Sequence, residues 1–238
     1  MIHQLSIIRE VLEKMKKISI LSFCISLLLF SCASYRVEGT TNVPQLDGQK
    51  LYLKVPHQDE IVDLDSCEVI HGSFCMNGEV DSIMLGSIYL GGESLMPIVV
   101  EKGKIRISIE NSRLEVSGTP LNERLYDFIK SKNILEERLS EVQHNQMQLI
   151  MEGTSADEAE KFAKEEEDVL VKEMNTLIAD FVIGNFDNVL ALQIFSMYCQ
   201  SFSSPIINST IRQIIEKAPD TFKQDEFVKE YLRLAEEE

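Results

Sequence analysis

The residues of this chain whose types could do chemistry are its cysteines, because a thiolate can act as a nucleophile, a redox group or an attachment site. Two lie eight residues apart near the start of the chain, two more lie eight residues apart in its first half, and the fifth stands alone near the C-terminus. No two of them form a Cys-x-x-Cys pair, so the chemistry of each thiol depends on its surroundings. The five are Cys24, Cys32, Cys67, Cys75 and Cys199.

The stretch that leads to Cys32 has the order of a secretory signal. Lys16-Lys17 precede an uncharged run of thirteen residues, 18–30, and small residues surround the cysteine that follows. A helix that crosses a membrane needs roughly 20 apolar residues, so this run is too short for one. We therefore predict that residues 1–31 are a signal peptide. Glu10 and Glu13 do not suit such a leader, and we predict that translation starts at Met15.

Leu29-Phe30-Ser31-Cys32 resembles the lipobox of bacterial lipoproteins, with leucine three positions before the cysteine and a small residue directly before it. Phe30 departs from the small residue that is usual at its position. The resemblance implies that Cys32 begins the mature chain and carries the lipid that anchors it to the membrane. No aspartate follows as an inner-membrane retention signal, so the expected location is the outer membrane, facing the periplasm.

Charge and motif content exclude several classes of protein. Removal of residues 1–32 leaves 19 basic and 37 acidic residues, a net charge of −18, which repels nucleic acid and anionic lipid surfaces. The chain contains no nucleotide-binding or serine-hydrolase motif. His57, His71 and His144 have no partner at metal-ligand spacing. We therefore expect no cofactor, no metal site and no catalytic activity.

Alternating apolar residues predict short strands between Tyr35 and Thr119. Leu51, Leu53 and Val55 are typical of the pattern, and turn residues recur between such runs. This favours an antiparallel β-sandwich or small open barrel of about seven or eight strands. The predicted β domain, with the lipidated terminus, spans residues 32–118.

One hairpin of this region can be assigned a register. With His71-Gly72 as its loop, Cys67 would face Met76 across the hairpin and Cys75 would point to the opposite surface. We therefore predict that Cys67 and Cys75 form no disulfide bond. With Cys24 removed in the signal peptide and Cys32 acylated, three thiols remain, and an odd number leaves at least one unpaired within the chain.

From Thr119 the apolar period becomes helical, and residues 119–238 form the predicted helical domain. Thr119 and Pro120 suit the start of a long amphipathic helix that ends near Met151. Ser155 to Glu158 is a capping box that begins a second helix, so the two should form a long αα-hairpin. About three shorter helices are predicted after it, which gives an α+β fold with about five helices.

A series of short landmarks runs through the β region and into the first helix: Asp65 to Cys67, Gly72 to Phe74, Gly78, Val100 to Ile105, Val116 to Thr119, Asn122 and Tyr126. Their order resembles the domain of unknown function 4369, which is found at the front of envelope lipoproteins related to thiol-disulfide interchange and peroxiredoxin-like proteins. Many of those proteins continue into a thioredoxin-fold domain with a Trp-Cys-x-x-Cys site. This chain has no tryptophan and no paired cysteines, so we expect that domain to be absent.

Two functions agree with these observations. The first is a non-catalytic, lipid-anchored scaffold or protein-binding component that faces the periplasm and joins the membrane through Cys32. The alternative is a redox accessory, implied by the resemblance, in which Cys75 or Cys199 exchanges disulfides with a separate thioredoxin-like partner. A small-ligand site at the open end of the β domain stays open as a third reading.

Overall fold

The computed structural model describes residues 34–57 and 60–237. Cys32 and the predicted signal peptide lie outside these residues. Eight strands precede the first α-helix, and a short 3-10 helix, Pro44–Leu46, lies between the first two of them. The strands are β1 (Ser34–Thr41), β2 (Lys50–His57), β3 (Glu60–Glu68), β4 (Ser73–Glu79), β5 (Met84–Leu90), β6 (Glu93–Val100), β7 (Gly103–Glu110) and β8 (Arg113–Ser117).

The strands form two four-stranded sheets that face each other as an open sandwich, which confirms the predicted class. The strand orders are β4-β1-β7-β8 and β3-β2-β5-β6. The sheets are not wholly antiparallel as predicted, because β1 and β7 are parallel, with Tyr35 opposite Gly103. The chain reaches β7 by crossing from the end of β6 in the other sheet, and it therefore enters beside β1 in the same direction.

The hairpin predicted around His71-Gly72 is wrong beyond its first pair. Ile70 does pair with Ser73, but β3 continues beside β2 while β4 pairs with β1 in the other sheet. The segment is thus a corner between sheets. The predicted faces nevertheless hold, since Met76 is buried and Cys75 is exposed. Asn77-Gly78, a dipeptide that is common in tight turns, lies inside β4 instead.

The space between the sheets is filled by the alternating apolar residues that predicted the strands. Val37, Leu51, Leu53 and Ile105 are fully buried in one cluster that draws on both sheets. Gly39 is required in β1, because a Cβ there would lie 1.9 Å from the ring of Phe74 on the neighbouring strand.

Six helices follow the strands, one more than predicted. They are α1 (Pro120–Met151), α2 (Ala156–Ile183), α3 (Val189–Gln200), α4 (Ser209–Lys217), α5 (Asp220–Lys223) and α6 (Glu226–Glu237). The additional helix is the single turn α5, which is too short to show a period in the sequence.

The long hairpin of α1 and α2 is confirmed, as are the signals that begin its second helix. The Ser155 side chain accepts a hydrogen bond from the Glu158 N–H at 3.3 Å, and Gly153 adopts a φ of 100° in the turn between the helices. Within the described residues, no helix combines the length and apolarity that a membrane span requires.

Candidate functional site

The predicted lipidation site, Cys32, lies outside the described residues. The nearest described residue is Ser34, with which β1 begins. A lipid on Cys32 would therefore be linked to the first residue of a paired strand by Ala33 alone. The attachment itself remains a prediction.

The two candidate redox cysteines lie in different parts of the molecule. Cys75 is exposed on β4, whereas Cys199 is buried in the helical core, where burial raises the pKa of its thiol to about 12. A thiol with so high a pKa is protonated at neutral pH and is a poor nucleophile. Cys67 is half-buried, and burial also raises the pKa of its thiol. All three cysteines are free, and the structure does not bring Cys75 and Cys199 together.

The surface around Cys75 carries charges of both signs. Glu38 lies opposite Cys75 on the neighbouring strand and forms ion pairs with Arg36, at 2.9 Å, and with Lys104. A hydrogen bond from Lys104 holds the pKa of the Glu38 carboxyl below its ordinary value. Arg106 interacts with the same carboxylate, so three basic side chains surround Glu38.

The three histidines considered as metal ligands do not converge. His57 ends β2, His71 occupies the corner between the sheets with a φ of 50°, and His144 lies on the exposed side of α1. Across residues 34–57 and 60–237, no group of three histidine, cysteine or acidic side chains is arranged to hold a metal ion.

The sandwich and the helices meet in a buried polar joint, which we define as Val99, Glu101, Thr119, Asn122 and Tyr126. The side-chain amide of Asn122 forms the hydrogen bonds to the edge strand β6 that a neighbouring strand would otherwise form. Its Oδ1 accepts from the Val99 N–H at 2.9 Å and its Nδ2 donates to the Val99 carbonyl at 2.7 Å. Asn122 is fully buried, so these bonds satisfy backbone groups that water cannot reach.

Glu101 supplies the cap of α1 within this joint. Thr119 occupies the predicted N-cap position, but its hydroxyl accepts from the Asn122 Nδ2 instead of from the helix backbone. The Glu101 carboxylate accepts from the backbone N–H groups of Leu121, at 2.8 Å, and Asn122, at 3.2 Å. A carboxylate at a helix N-terminus also interacts favourably with the helix dipole.

From the joint, α1 runs along the edge strand β8 and then past the end of the sandwich. The Tyr126 hydroxyl donates to the Pro97 carbonyl at 3.0 Å, and the Gly118 N–H donates to the Glu123 side chain. A surface depression between β8 and α1 extends from these residues to Ser112 and Glu137. Since β8 begins at Arg113, the part of α1 beyond Glu137 extends further than the strand beside it.

The projecting part of the hairpin, residues 138–173, is called the arm below. Its buried contacts come from the two helices themselves, through Val142 and Leu170 with Leu139 and Ala163. The base of the hairpin is fixed differently. Phe128 packs on Phe181 with ring centroids 4.3 Å apart, and α2 joins the helical core from Met174 onward.

Exposed apolar side chains concentrate in the arm. Of the 14 large hydrophobic residues exposed in the described part of the chain, six lie among the arm's residues. Met147, Ile150 and Met151 are 66%, 41% and 86% exposed, and their spacing places them on one side of α1. The other three are Phe162, Val169 and Val171.

The comparisons with known proteins address the sandwich. Residues 35–125 match the family model described as Domain of unknown function (DUF4369). This confirms the resemblance found in the sequence. The matched region contains the sandwich from its second residue and ends in the first turns of α1, so it includes the Glu101 and Asn122 side chains of the joint. No curated protein matches the chain.

The arm lies wholly outside the DUF4369 match, as do α2 to α6. In the sequence, Asn122, Tyr126 and Glu101 are landmarks of the family resemblance, and no structural or functional role is predicted for them. One sequence pattern does indicate the joint. The helix begins with Thr-Pro and carries an asparagine in its first turn. The exposed methionines of α1 had a weaker signal, since they lie off the apolar face that the helical period defines.

Proposed function

We propose that the protein is a lipid-anchored, periplasm-facing envelope protein that holds its DUF4369 sandwich near the membrane and presents the arm to another protein. The proposal assigns it no catalytic activity of its own. The proposal rests mainly on the positions at which β1 and α1 begin, because both lie at the same end of the sandwich. β1 begins beside Gly103, and Thr119, from which α1 departs, is adjacent to Gly103 as well.

This arrangement gives the molecule a direction. If Cys32 is acylated, the end of the sandwich at which β1 begins faces the bilayer. α1 starts at that same end and has 32 residues, a length of about 48 Å, whereas an eight-residue strand spans only about 27 Å. The arm would then point away from the membrane, with its exposed apolar residues at the far end.

The anchor is tested by labelling cells with a palmitate analogue and fractionating their membranes. Wild-type protein should be labelled and should sediment with the outer membrane. Cys32→Ala should lose the label and remain unprocessed, while Cys24→Ala is the matched control and should retain the label. Labelled Cys32→Ala protein would contradict the proposed anchor.

The protein-binding role is tested by placing a photo-crosslinking amino acid at Met147 or Met151 in cells. Ile61 on β3 and Met197 on α3 are matched controls, because they are exposed apolar positions outside the arm. We expect a discrete crosslinked partner from the arm positions alone. Equal crosslinking from Ile61 or Met197, or none from the arm, would contradict the role.

The redox alternative is supported only by the exposure of Cys75. Its thiol is accessible, whereas Cys199 is buried among α3, α4 and α6. A redox accessory would therefore act through Cys75 alone and would form a mixed disulfide with its partner. Trapping of such a species from wild type and Cys199→Ser, but not from Cys75→Ser, would favour the alternative over the scaffold.

A further inference from the structure

The arm is strongly acidic as well as rich in exposed apolar side chains. It contains ten acidic and four basic residues, a net charge of −6 over 36 residues. Glu160, Glu166, Glu167 and Asp168 form no ion pair with any described residue. A cluster of acids alone identifies no ligand, but the same arm also carries apolar side chains that the fold leaves uncovered.

The exposed side chains are also of a particular type. Methionine is flexible and polarisable, and methionine-rich helix faces bind amphipathic helices of varied sequence. Met147 and Met151 lie one turn apart, with Ile150 between them in the row. The apolar cluster inside the arm is small, so nothing within the hairpin requires these three residues for packing.

The negative charge of the arm determines which kinds of partner could bind this surface. A second copy would bring another arm of net charge −6 against the first, and the two would repel. Anionic lipids would be repelled for the same reason. A segment that offers both apolar side chains and lysine or arginine satisfies the methionines and the uncompensated carboxylates together.

We propose that the arm docks a basic amphipathic helix of a partner protein, with the apolar side of that helix on Met147, Ile150 and Met151 and its cations among the carboxylates of α2. This inference rests on the proposed function and specifies the chemistry of the partner. The carboxylates of α2 would mainly accelerate and orient the association with the partner helix, while the apolar contact would supply most of the affinity.

The first test maps the crosslink formed from Met151 by mass spectrometry of the joined peptides. The partner segment should carry net positive charge and apolar residues at spacings of three and four. A crosslinked segment that is acidic or lacks this period would overturn the inference. In that case the proposed function stands, because a partner was still captured at the arm.

The second test measures binding of a synthetic leucine- and lysine-rich amphipathic helix to the detergent-solubilised mature protein. Met147→Gln with Met151→Gln should weaken binding about tenfold, which equals about 1.4 kcal/mol. Met197→Gln is the control and should leave affinity unchanged. Glu160→Gln with Glu167→Gln should reduce the salt dependence, whereas Glu216→Gln with Glu236→Gln should not.

Three results would overturn the inference. The first is the absence of binding by the helix. The second is binding that the methionine substitutions leave unchanged, which would indicate unspecific attraction between opposite charges. The third is self-association of the protein, or binding of vesicles of anionic phospholipid, that the methionine substitutions abolish. A scrambled peptide of the same composition should bind at least about tenfold more weakly than the amphipathic one.

Discussion

The joint and the arm each include a part of α1, yet the two parts are stabilised in opposite ways. In the joint, the first turn of α1 is held by polar groups of β6 and of Glu101, which follows that strand, and its asparagine is fully buried. In the arm, the same helix is held by apolar contacts with α2 and by one exposed ion pair, between Arg138 and Glu173, and it leaves Met151 86% exposed. The joint fixes the direction of α1, whereas the arm provides surface.

The difference has an energetic basis. Buried hydrogen bonds are costly to leave incomplete, so a polar joint resists partial opening. A two-helix arm with few fully buried side chains has little to lose by opening locally, and it should exchange its amide protons faster than the sandwich. Substitutions in the two regions should therefore differ in size and in extent.

The largest effect is expected from Asn122→Ala in the joint. It would leave the N–H and carbonyl of Val99 buried without partners and should lower the free energy of unfolding by about 3 kcal/mol. Urea denaturation measures this. Asn133→Ala, at an exposed position of the same helix, is the control and should change stability by less than about 0.5 kcal/mol. Equal effects of the two substitutions would remove the distinction between joint and surface.

Leu170→Ala should produce a somewhat smaller loss that is confined to the arm. Leu170 is fully buried between α1 and α2, and its truncation should cost about 2 kcal/mol of local stability. Hydrogen exchange should show faster exchange in residues 138–173 and unchanged protection in the β-strands. If the strands lost protection to the same degree, the arm and the sandwich would unfold as one unit.

Glu101→Gln should cost about 1 to 2 kcal/mol, because it retains an acceptor oxygen but removes the charge that caps α1. Glu101→Ala, which removes the acceptor too, should cost more. Thermal unfolding of both proteins separates the two contributions. Unchanged stability of Glu101→Gln would mean that the charge of Glu101 contributes nothing to the cap.

Tyr126→Phe should have the smallest effect at neutral pH, below about 1 kcal/mol, since it removes one hydrogen bond to Pro97. Burial raises the pKa of the Tyr126 hydroxyl above its ordinary value of 10.0. The folded state therefore retains a proton that the unfolded state loses, and this stabilisation declines as pH rises above about 10.

The stability difference between wild type and Tyr126→Phe should accordingly narrow in alkaline solution. Urea denaturation at neutral pH and at several values above pH 10 measures it. A parallel decline in both proteins would assign the alkaline sensitivity to other groups. Tyr35 is one such group, because burial raises its pKa to about 12.

Local sequence patterns predicted the elements well because their signals are local. Strand alternation, the Ser155 cap and the length of α1 depend on residues a few positions apart. The corner at His71 was misread as a hairpin for the same reason. The pairing of Ile70 with Ser73 is local, but the sheet that β4 then joins is decided by β1, more than thirty residues earlier.

The same distinction between local and long-range information applies to the candidate sites. The odd count of thiols, the acidic charge and the predicted leader before Cys32 follow from composition or from the order of neighbouring residues. The burial of Cys199 away from Cys75 does not, because burial depends on which helices pack together.

The start of α1 shows both contributions at once. Thr119 and Pro120 determined where the helix begins, since a proline suits the first helical position whatever surrounds it. The carboxylate that caps the helix comes from Glu101, and the amide that joins it to β6 reaches Val99, both across the boundary between sandwich and helices. Such contacts depend on the packing of distant segments, which no short pattern in the sequence contains.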